Sequence, residues 1–278
     1  MHTCLAVTTE GLPLGLLSQQ ISALENRSTS LTSSERDRLP IEEKESYRWL
    51  ETLSKANSVM SNCRAVTVCD RESDIYDFFK LSDELNASVL VRANADRTIN
   101  RKSRYAEKDV IKLWEYMEGQ VEAGSYEIEI PHKSKSKHCL ERLARSATLT
   151  VRFGVFHINP PRNHPKHKTE SLQDVAMNAV YVLEENPPED VEPVEWMLLT
   201  NVEVTSFEQA CEKVRWYGLR WRIEMFFKVL KSGFRVEACR LAHAERLTRY
   251  LTIMSIVAWR LFMITLIART DPDLSSSN

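Results

Sequence analysis

The amino-acid sequence predicts an α/β protein, and three observations support this fold class. Two apolar runs, Ala65–Cys69 and Ser88–Val91, flank a helical pattern, which is the order of a parallel strand–helix–strand unit. Strand-like alternation follows between residues 126 and 183, and long helical patterns occupy the last quarter of the chain. With 278 residues the chain is long enough to bury a sizeable core.

The first part of the chain is predicted to hold a β-hairpin, a helix and the parallel unit. Short strands around the turn Thr9-Glu10-Gly11 give the hairpin, at Leu5–Val7 and Leu12–Leu17. Apolar side chains recur at helical spacing from Glu42 to Met60, which predicts a helix. The buried strand 65–69 then ends at Asp70 and leads into a helix over residues 73–85.

The middle of the chain is predicted to be mainly β, from Asp96 to about Trp196. Its strands are interrupted by loops rich in proline and basic residues, of which Asn159–Lys168 is the longest. The predicted strands here, with the one that follows, are Tyr126–Ile130, Ala147–Phe153, Ala179–Leu183 and Met197–Thr200.

Two long helices are predicted at the end of the chain, Ser206–Lys231 and Leu247–Arg269. The second contains the apolar stretch Tyr250–Ala268, which is nearly long enough to cross a membrane. Because it is short and contains Arg260, a buried core helix is the better interpretation, and we expect no membrane partner.

The charges are unevenly distributed, although the net charge is only −2. Residues 131–170 contain nine Lys or Arg against two Glu, and residues 213–249 contain ten against three. A basic face of this kind attracts phosphate, but from charge alone two solvated surfaces are the simpler interpretation. No glycine-rich phosphate loop and no zinc-type Cys spacing occurs, and the six cysteines fit free thiols in a reducing cytoplasm.

Asp70 is the first candidate functional residue. An ionised carboxylate at the end of a buried strand is costly unless it is paired or bound to a metal ion. A strand-end aspartate is also a common cap for the helix that follows. Asp70 alone therefore leaves both interpretations open.

The second candidate group is Tyr217, Arg220, Glu224 and Lys231. Their spacings of 3, 4 and 7 residues equal one, one and two helical turns, so a continuous helix would place all four on one face. A surface ion pair between Arg220 and Glu224 explains part of the pattern and contributes little stability. The alternative is a metal-binding carboxylate flanked by groups that bind phosphate.

The pattern Tyr-x2-Arg-x3-Glu-x6-Lys resembles the signature of the insertion-sequence-four family of bacterial DDE transposases, the group of the Tn-five enzyme. The order and spacing of further segments are similar to that family: Glu43–Ser46, Val68–Ile75, Leu90–Arg92 and Trp196–Thr200. The resemblance extends over almost the whole chain.

This resemblance implies an RNase H-like core, incomplete at its N-terminus, with an inserted β-rich subdomain. Residues 1–95 and 197–278 would form the core, and residues 96–196 the insertion. Asp70 and Glu224 would be two of three acids that bind Mg²⁺, or Mn²⁺ in its place, for attack on a phosphodiester. The family's first acid would lie before Met1, and Asp37 does not fit its place. The expectation is therefore that this chain alone has little strand-transfer activity.

The resemblance also implies a set of DNA contacts. Tyr217, Arg220 and Lys231 would bind phosphates, Arg92 would contact DNA, and Trp196 would stack on an unpaired base, although core packing also explains Trp196. The partners would be double-stranded DNA at the transposon ends and the target, with a homodimer in the intact family and a cytoplasmic, nucleoid-associated location. Two other hypotheses stay open: a non-catalytic DNA-binding remnant, and an RNase H-like nuclease unrelated to transposition.

Overall fold

The computed structural model describes residues 1–21, 32, 35, 38–99, 111–130, 132, 143–168, 171–241 and 243–270. The chain divides into two compact units. Residues 1–65 and 216–278 form one, called here the hairpin unit, and residues 66–215 form the other, called the sheet unit. Both contain helices and strands, so the predicted mixed α/β class is confirmed. Asp37 lies outside the described residues.

The hairpin unit begins with two antiparallel strands, β1 (His2–Val7) and β2 (Pro13–Gln20), as the sequence predicts. Helix α1 (Tyr47–Val59) follows a single 3-10 turn at Ile41–Glu43, so it starts later than predicted. Its buried apolar side chains recur three residues apart, at Leu50, Leu53 and Ala56.

The sheet unit contains one large mixed sheet of eight strands. Its order is β3-β4-β10-β9-β8-β5-β6, with β7 paired to β8. The strands are β3 (Val66–Cys69), β4 (Ser88–Arg92), β5 (Thr98–Ile99), β6 (Ile111–Lys112), β7 (Gly124–Ile130), β8 (Arg145–Ile158), β9 (Val175–Leu183) and β10 (Glu195–Thr200). Most were predicted, but β8 is twice as long as expected, and the two-residue strands β5 and β6 were not predicted.

Strands β3 and β4 are parallel and are joined by helix α2 (Tyr76–Glu84), which confirms the predicted strand–helix–strand unit. The expectation that β3 is fully buried is wrong. Only Cys69 is buried, because β3 lies at the edge of the sheet, and among the described strands only β4 pairs with it. Strand β4 lies between β3 and β10, and its residues 89–91 are completely buried.

Strand β10 joins the two parts of the sheet. It is antiparallel both to β4 of the first part and to β9 of the β-rich middle part. The sheet is therefore continuous from β3 to β6. The division at residues 96 and 196 that the resemblance implies stays a prediction.

The helix predicted over Ser206–Lys231 is not continuous. Helix α4 (Phe207–Leu219) is followed by α5 (Trp221–Lys228), and a π-helical turn occupies Val229–Gly233. Helix α3 (Leu113–Glu118) is a short additional helix in the middle part. A π turn holds more residues per turn than an α-helix, so residues beyond it no longer keep α-helical spacing.

The last described helix, α6 (Ala244–Thr270), is longer than predicted and is not a buried core helix. One face packs through Ala258 and Phe262 against Phe226 and Leu230 of the hairpin unit. The opposite face leaves large apolar side chains exposed, and only 17% of the most apolar stretch is buried. By length and composition this helix is sufficient to cross a membrane.

The turn between β1 and β2 depends on Gly11. Its φ angle is +87°, and a Cβ atom there would lie 2.8 Å from Nε of Arg222 on α5. We expect Gly11→Ala to lower the free energy of unfolding by about 1 to 2 kcal/mol, because L-residues are strained at this φ. Urea denaturation followed by circular dichroism measures the change.

Gly15 provides the matched control for this substitution. It lies on β2 and has an ordinary φ angle. A Cβ atom added at Gly15 would have no other atom within 4 Å. We expect Gly15→Ala to be neutral or to stabilise by up to about 1 kcal/mol, since alanine has less freedom in the unfolded chain. Equal losses in the two variants would contradict the role given to Gly11.

Candidate functional site

Asp70 directly follows β3, at the carboxyl end of the parallel pair. Its Oδ1 atom accepts the backbone N–H of Arg71 at 2.7 Å, and it caps the single 3-10 turn Arg71–Ser73. Asp70 therefore does cap a turn, but it is not the predicted cap of the following helix, because the N-cap residue of α2 is Ile75. The side chain is half-buried, so it reaches the surface of the protein at the end of the sheet.

The strand register brings Arg92 and Trp196 to the same end of the sheet. Cys69 pairs with Val91, so Asp70 lies level with Arg92 on the neighbouring strand. Arg92 pairs with Leu198, and Trp196 precedes Leu198 by two residues on β10. Arg92 and Trp196 are therefore diagonal neighbours on one face, about 7 to 8 Å apart, which long and aromatic side chains can span.

Sequence reasoning missed Glu195, which holds this end of β10 in place. Its Oε1 atom accepts hydrogen bonds from Nε1 of Trp114 at 2.8 Å and from the hydroxyl of Tyr181 at 2.9 Å. Its backbone carbonyl accepts Nη2 of Arg92 at 3.0 Å. Burial and the Glu195 carboxylate raise the pKa of Tyr181 well above its usual range, so the phenol stays a donor. The signal that the sequence offered was a glutamate directly before the Trp196–Thr200 segment.

A second acid in the segment after Asp70 also has a structural role. The side chain of Asp74 is completely buried and forms an ion pair with Arg97. Its Oδ2 atom accepts the N–H of Asn94 at 2.7 Å. Asp74 therefore ties the segment that follows β3 to the segment that follows β4, which carry Asp70 and Arg92 respectively.

The hairpin unit holds the other predicted residues. Tyr217, at the end of α4, is buried, and the Arg220 guanidinium lies over its ring at 5.8 Å. Nη1 of Arg220 is 3.5 Å from Oε1 of Glu224, one turn later. The expected contact between these three residues is therefore present, although Arg220 lies at the junction of α4 and α5.

Glu224 is oriented by the core on the other side of α5. Phe226 is buried against α6 and lies on the face of α5 opposite Glu224, and Leu230 of the π turn belongs to the same buried cluster. The Glu224 side chain is 48% exposed. An ion pair with this much exposure contributes little stability, so packing of the apolar face sets the position of the carboxylate.

Lys231 lies beyond the end of α5. It lies in the π-helical turn, is exposed, and its Nζ is 3.2 Å from Oε1 of Glu237. The prediction that it shares one face with Tyr217, Arg220 and Glu224 assumed a continuous α-helix. The π turn changes the rotation per residue, so that assumption does not hold.

The described carboxylates do not by themselves form a complete metal centre. Within the part of the chain that the structure describes, no three His, Cys, Asp or Glu side chains lie close enough together to hold a metal ion. What this end of the sheet offers is the carboxylate of Asp70, the guanidinium group of Arg92 and the indole of Trp196. Guanidinium binds phosphate through paired hydrogen bonds, and an indole stacks on a nucleobase.

A family model of transposase DDE domains matches residues 47–260. The match begins at α1, includes the whole sheet unit and ends within α6. It contains Asp70, Arg92, Trp196, Tyr217, Arg220, Glu224 and Lys231. Since it covers most of the 278 residues, the chain belongs to the family of transposase DDE domains.

Proposed function

We propose that the chain is the catalytic domain of a DNA transposase of the insertion-sequence-four type. It would act in the cytoplasm on double-stranded DNA at transposon ends and at the target. The observation that carries this proposal is the placement of Asp70, Arg92 and Trp196 at the adjoining ends of three neighbouring strands. An RNase H-like core is the arrangement we infer for β3, α2 and β4.

Each residue has a proposed role that fits its surroundings. Arg92 would bind a backbone phosphate, and Trp196 would stack on a base that has left the duplex. In the hairpin unit Arg220 and Lys231 would bind phosphate, while Tyr217, which is buried under the Arg220 guanidinium, would orient it. The roles of Arg92, Trp196, Arg220 and Lys231 follow the resemblance in sequence. The resemblance also assigns phosphate binding to Tyr217, and its burial favours the orienting role instead.

Transposase DDE domains generally use divalent metal ions. We propose Asp70 and Glu224 as metal-binding carboxylates, and Mg²⁺ as the ion because it prefers few carboxylates together with substrate phosphate. Mn²⁺ would serve the same ligands. The described residues bring together no group of three ligands that could hold such an ion.

The absence of a group of three ligands among the described residues favours a second candidate function. A chain that binds DNA without assembling three acids could bind transposon ends without cutting them. Such a protein would compete with an active transposase for the same DNA.

One experiment separates these functions. Binding of the purified chain to a labelled duplex is measured by fluorescence anisotropy between about 50 and 200 mM salt, and cleavage is measured with Mg²⁺ or Mn²⁺. Salt-dependent binding with cleavage that Glu224→Gln abolishes supports the transposase. Binding without cleavage selects the second function. Absence of DNA binding at low salt contradicts both.

The substitution Arg92→Ala tests the proposed DNA-contacting end of the sheet. We expect weaker binding to all duplexes and a slope of log affinity against log salt that is smaller by about 1, as for the loss of one phosphate contact. Lys80→Ala is the control, since Lys80 lies on α2 and pairs with Glu84 at 3.4 Å. Equal effects of the two substitutions would show that only net charge matters.

A further inference from the structure

The loop Asn159–Lys168 follows the long strand β8 and has an unusual composition. It contains Arg162, Lys166 and Lys168 and no acidic residue. Three of its ten residues are proline, which limits the conformations of the free loop. A basic loop of restricted freedom loses little entropy when it binds an anionic partner.

His164 anchors this loop to the sheet unit. Its Nε2 atom lies 2.9 Å from Oδ1 of Asp77, and its Nδ1 atom accepts the backbone N–H of Lys166 at 3.2 Å. The neutral ring therefore carries its proton on Nε2 and donates it to Asp77. The side chain of His164 is only 7% exposed, and its ring meets the ring of Tyr76 edge to face at 5.7 Å.

Further hydrogen bonds restrain the chain before and after residues 165–168. The N–H of His164 donates to the carbonyl of Pro161 at 3.1 Å, and residues 165–168 form a 3-10 turn. The hydroxyl of Tyr76 donates to the carbonyl of Gln173 at 2.7 Å. Two adjacent residues at the start of α2 thus hold the chain on either side of residues 165–168.

The position of the anchor relates the loop to the candidate site. Asp77 follows Asp70 by seven residues, which span at most about 25 Å even if fully extended. A DNA duplex carries one charge for about every 1.7 Å of axis. A duplex that contacts Asp70 therefore has further phosphates within about 25 Å of Asp70, which is the longest possible distance from Asp70 to Asp77. Arg162 in the loop is exposed.

We propose that the Asn159–Lys168 loop is a binding surface for the phosphate backbone of double-stranded DNA, held in its binding conformation by the His164–Asp77 hydrogen bond. This rests on the proposed function of the domain. Asp77 and His164 are positioning residues, and Arg162 and Lys166 make the contact.

Substitutions of Asp77 test the proposal through the sign of their effect. Electrostatics alone predicts that Asp77→Ala strengthens DNA binding, because a negative charge is removed. Our proposal predicts weaker binding and a salt slope smaller by about 1 to 2, because the loop loses its anchor. Asp77→Asn keeps an oxygen that can accept the His164 proton, so it should bind DNA at least as well as the unmodified chain.

Asp83→Ala is the charge control. Asp83 is exposed on the same helix, α2, and its loss should leave binding unchanged or slightly tighter. Binding is measured by anisotropy on a labelled duplex of arbitrary sequence, with circular dichroism as a check of folding. Tighter binding of Asp77→Ala than of the unmodified chain would overturn the proposal.

Arg162→Ala decides the question if Asp77→Ala does not fold. It removes a cation of the loop and leaves the anchor in place, so the salt slope should fall by about 1. An unchanged slope would overturn the loop as a DNA surface while leaving the proposed function intact. A chain that binds no DNA at all would instead contradict the proposed function.

Discussion

Asp74→Ala is expected to lower the free energy of unfolding by about 3 to 5 kcal/mol, the usual cost of removing one partner from a buried ion pair. The substitution leaves the Arg97 guanidinium without its carboxylate and the N–H of Asn94 without its acceptor. Since the Asp74 side chain is completely buried, water cannot replace it. Urea denaturation at neutral pH, followed by circular dichroism, measures the loss.

Asp70→Ala is the comparison in the same segment. Asp70 is half-buried and caps a short 3-10 turn, so its removal should cost only about 1 kcal/mol. The two acids are four residues apart, yet one should matter for stability and the other for activity. A small loss in Asp74→Ala would contradict the structural role and make Asp74 a candidate ligand instead.

The difference between these acids explains why the sequence alone could not separate them. Both lie in the segment Asp70-Arg-Glu-Ser-Asp74, and both follow a strand. Their roles depend on Arg97 and Asn94, which come after the next strand and which local spacing does not relate to Asp74. Contacts of this kind are set by the parallel pairing of β3 and β4.

Much of the secondary structure could be predicted because its signals are local. The hairpin, the parallel unit and the strands of the middle part follow from short apolar runs and turn residues. The exposure of β3 could not be predicted, because burial of a strand depends on its neighbours in the sheet. The π turn at Val229–Gly233 has no sequence signal that would distinguish it from an α-helix.

Part of the candidate site could also be predicted, because some of its contacts are local in sequence. Arg220 and Glu224 are one helical turn apart, so local geometry gave their contact. Asp70, Arg92 and Trp196 were named separately, and only the register of β3, β4 and β10 places them at one end of the sheet. Glu195 supports that end through Trp114 and Tyr181, which are distant in sequence.

Glu184→Gln is the second substitution with a large expected effect, about 3 kcal/mol at neutral pH. Glu184 is buried and forms a two-point ion pair with Arg145, including a hydrogen bond of 2.8 Å to Nη2. Its Oε2 atom also accepts the N–H of Val194 at 3.0 Å. The pair joins the start of β8 to the connection between β9 and β10. A glutamine amide group would direct hydrogens at the guanidinium and leave it buried without a counter-charge.

The stability that the ion pair between Glu184 and Arg145 contributes should depend on pH in a defined direction. The Arg145 guanidinium holds the pKa of the Glu184 carboxyl below its ordinary value of 4.5, despite the opposing effect of burial. A lowered pKa in the folded chain gives stability that is complete above the ordinary value and is lost as the pH falls through the folded value. The gap in stability between the unmodified chain and Glu184→Gln should therefore be widest at neutral pH and narrow below about pH 4.5.

Glu185→Gln separates this effect from a general response to acid. Glu185 is the adjacent residue, its side chain is 44% exposed, and it lies 3.3 Å from Nη2 of Arg152. An exposed pair contributes at most about 1 kcal/mol, so this variant should follow the unmodified chain at every pH. Urea midpoints of the three proteins over a series of pH values decide the matter. If the gap for Glu184→Gln stays constant as the pH falls, the lost stability comes from packing, and the ion pair does not hold β8 to β9 and β10.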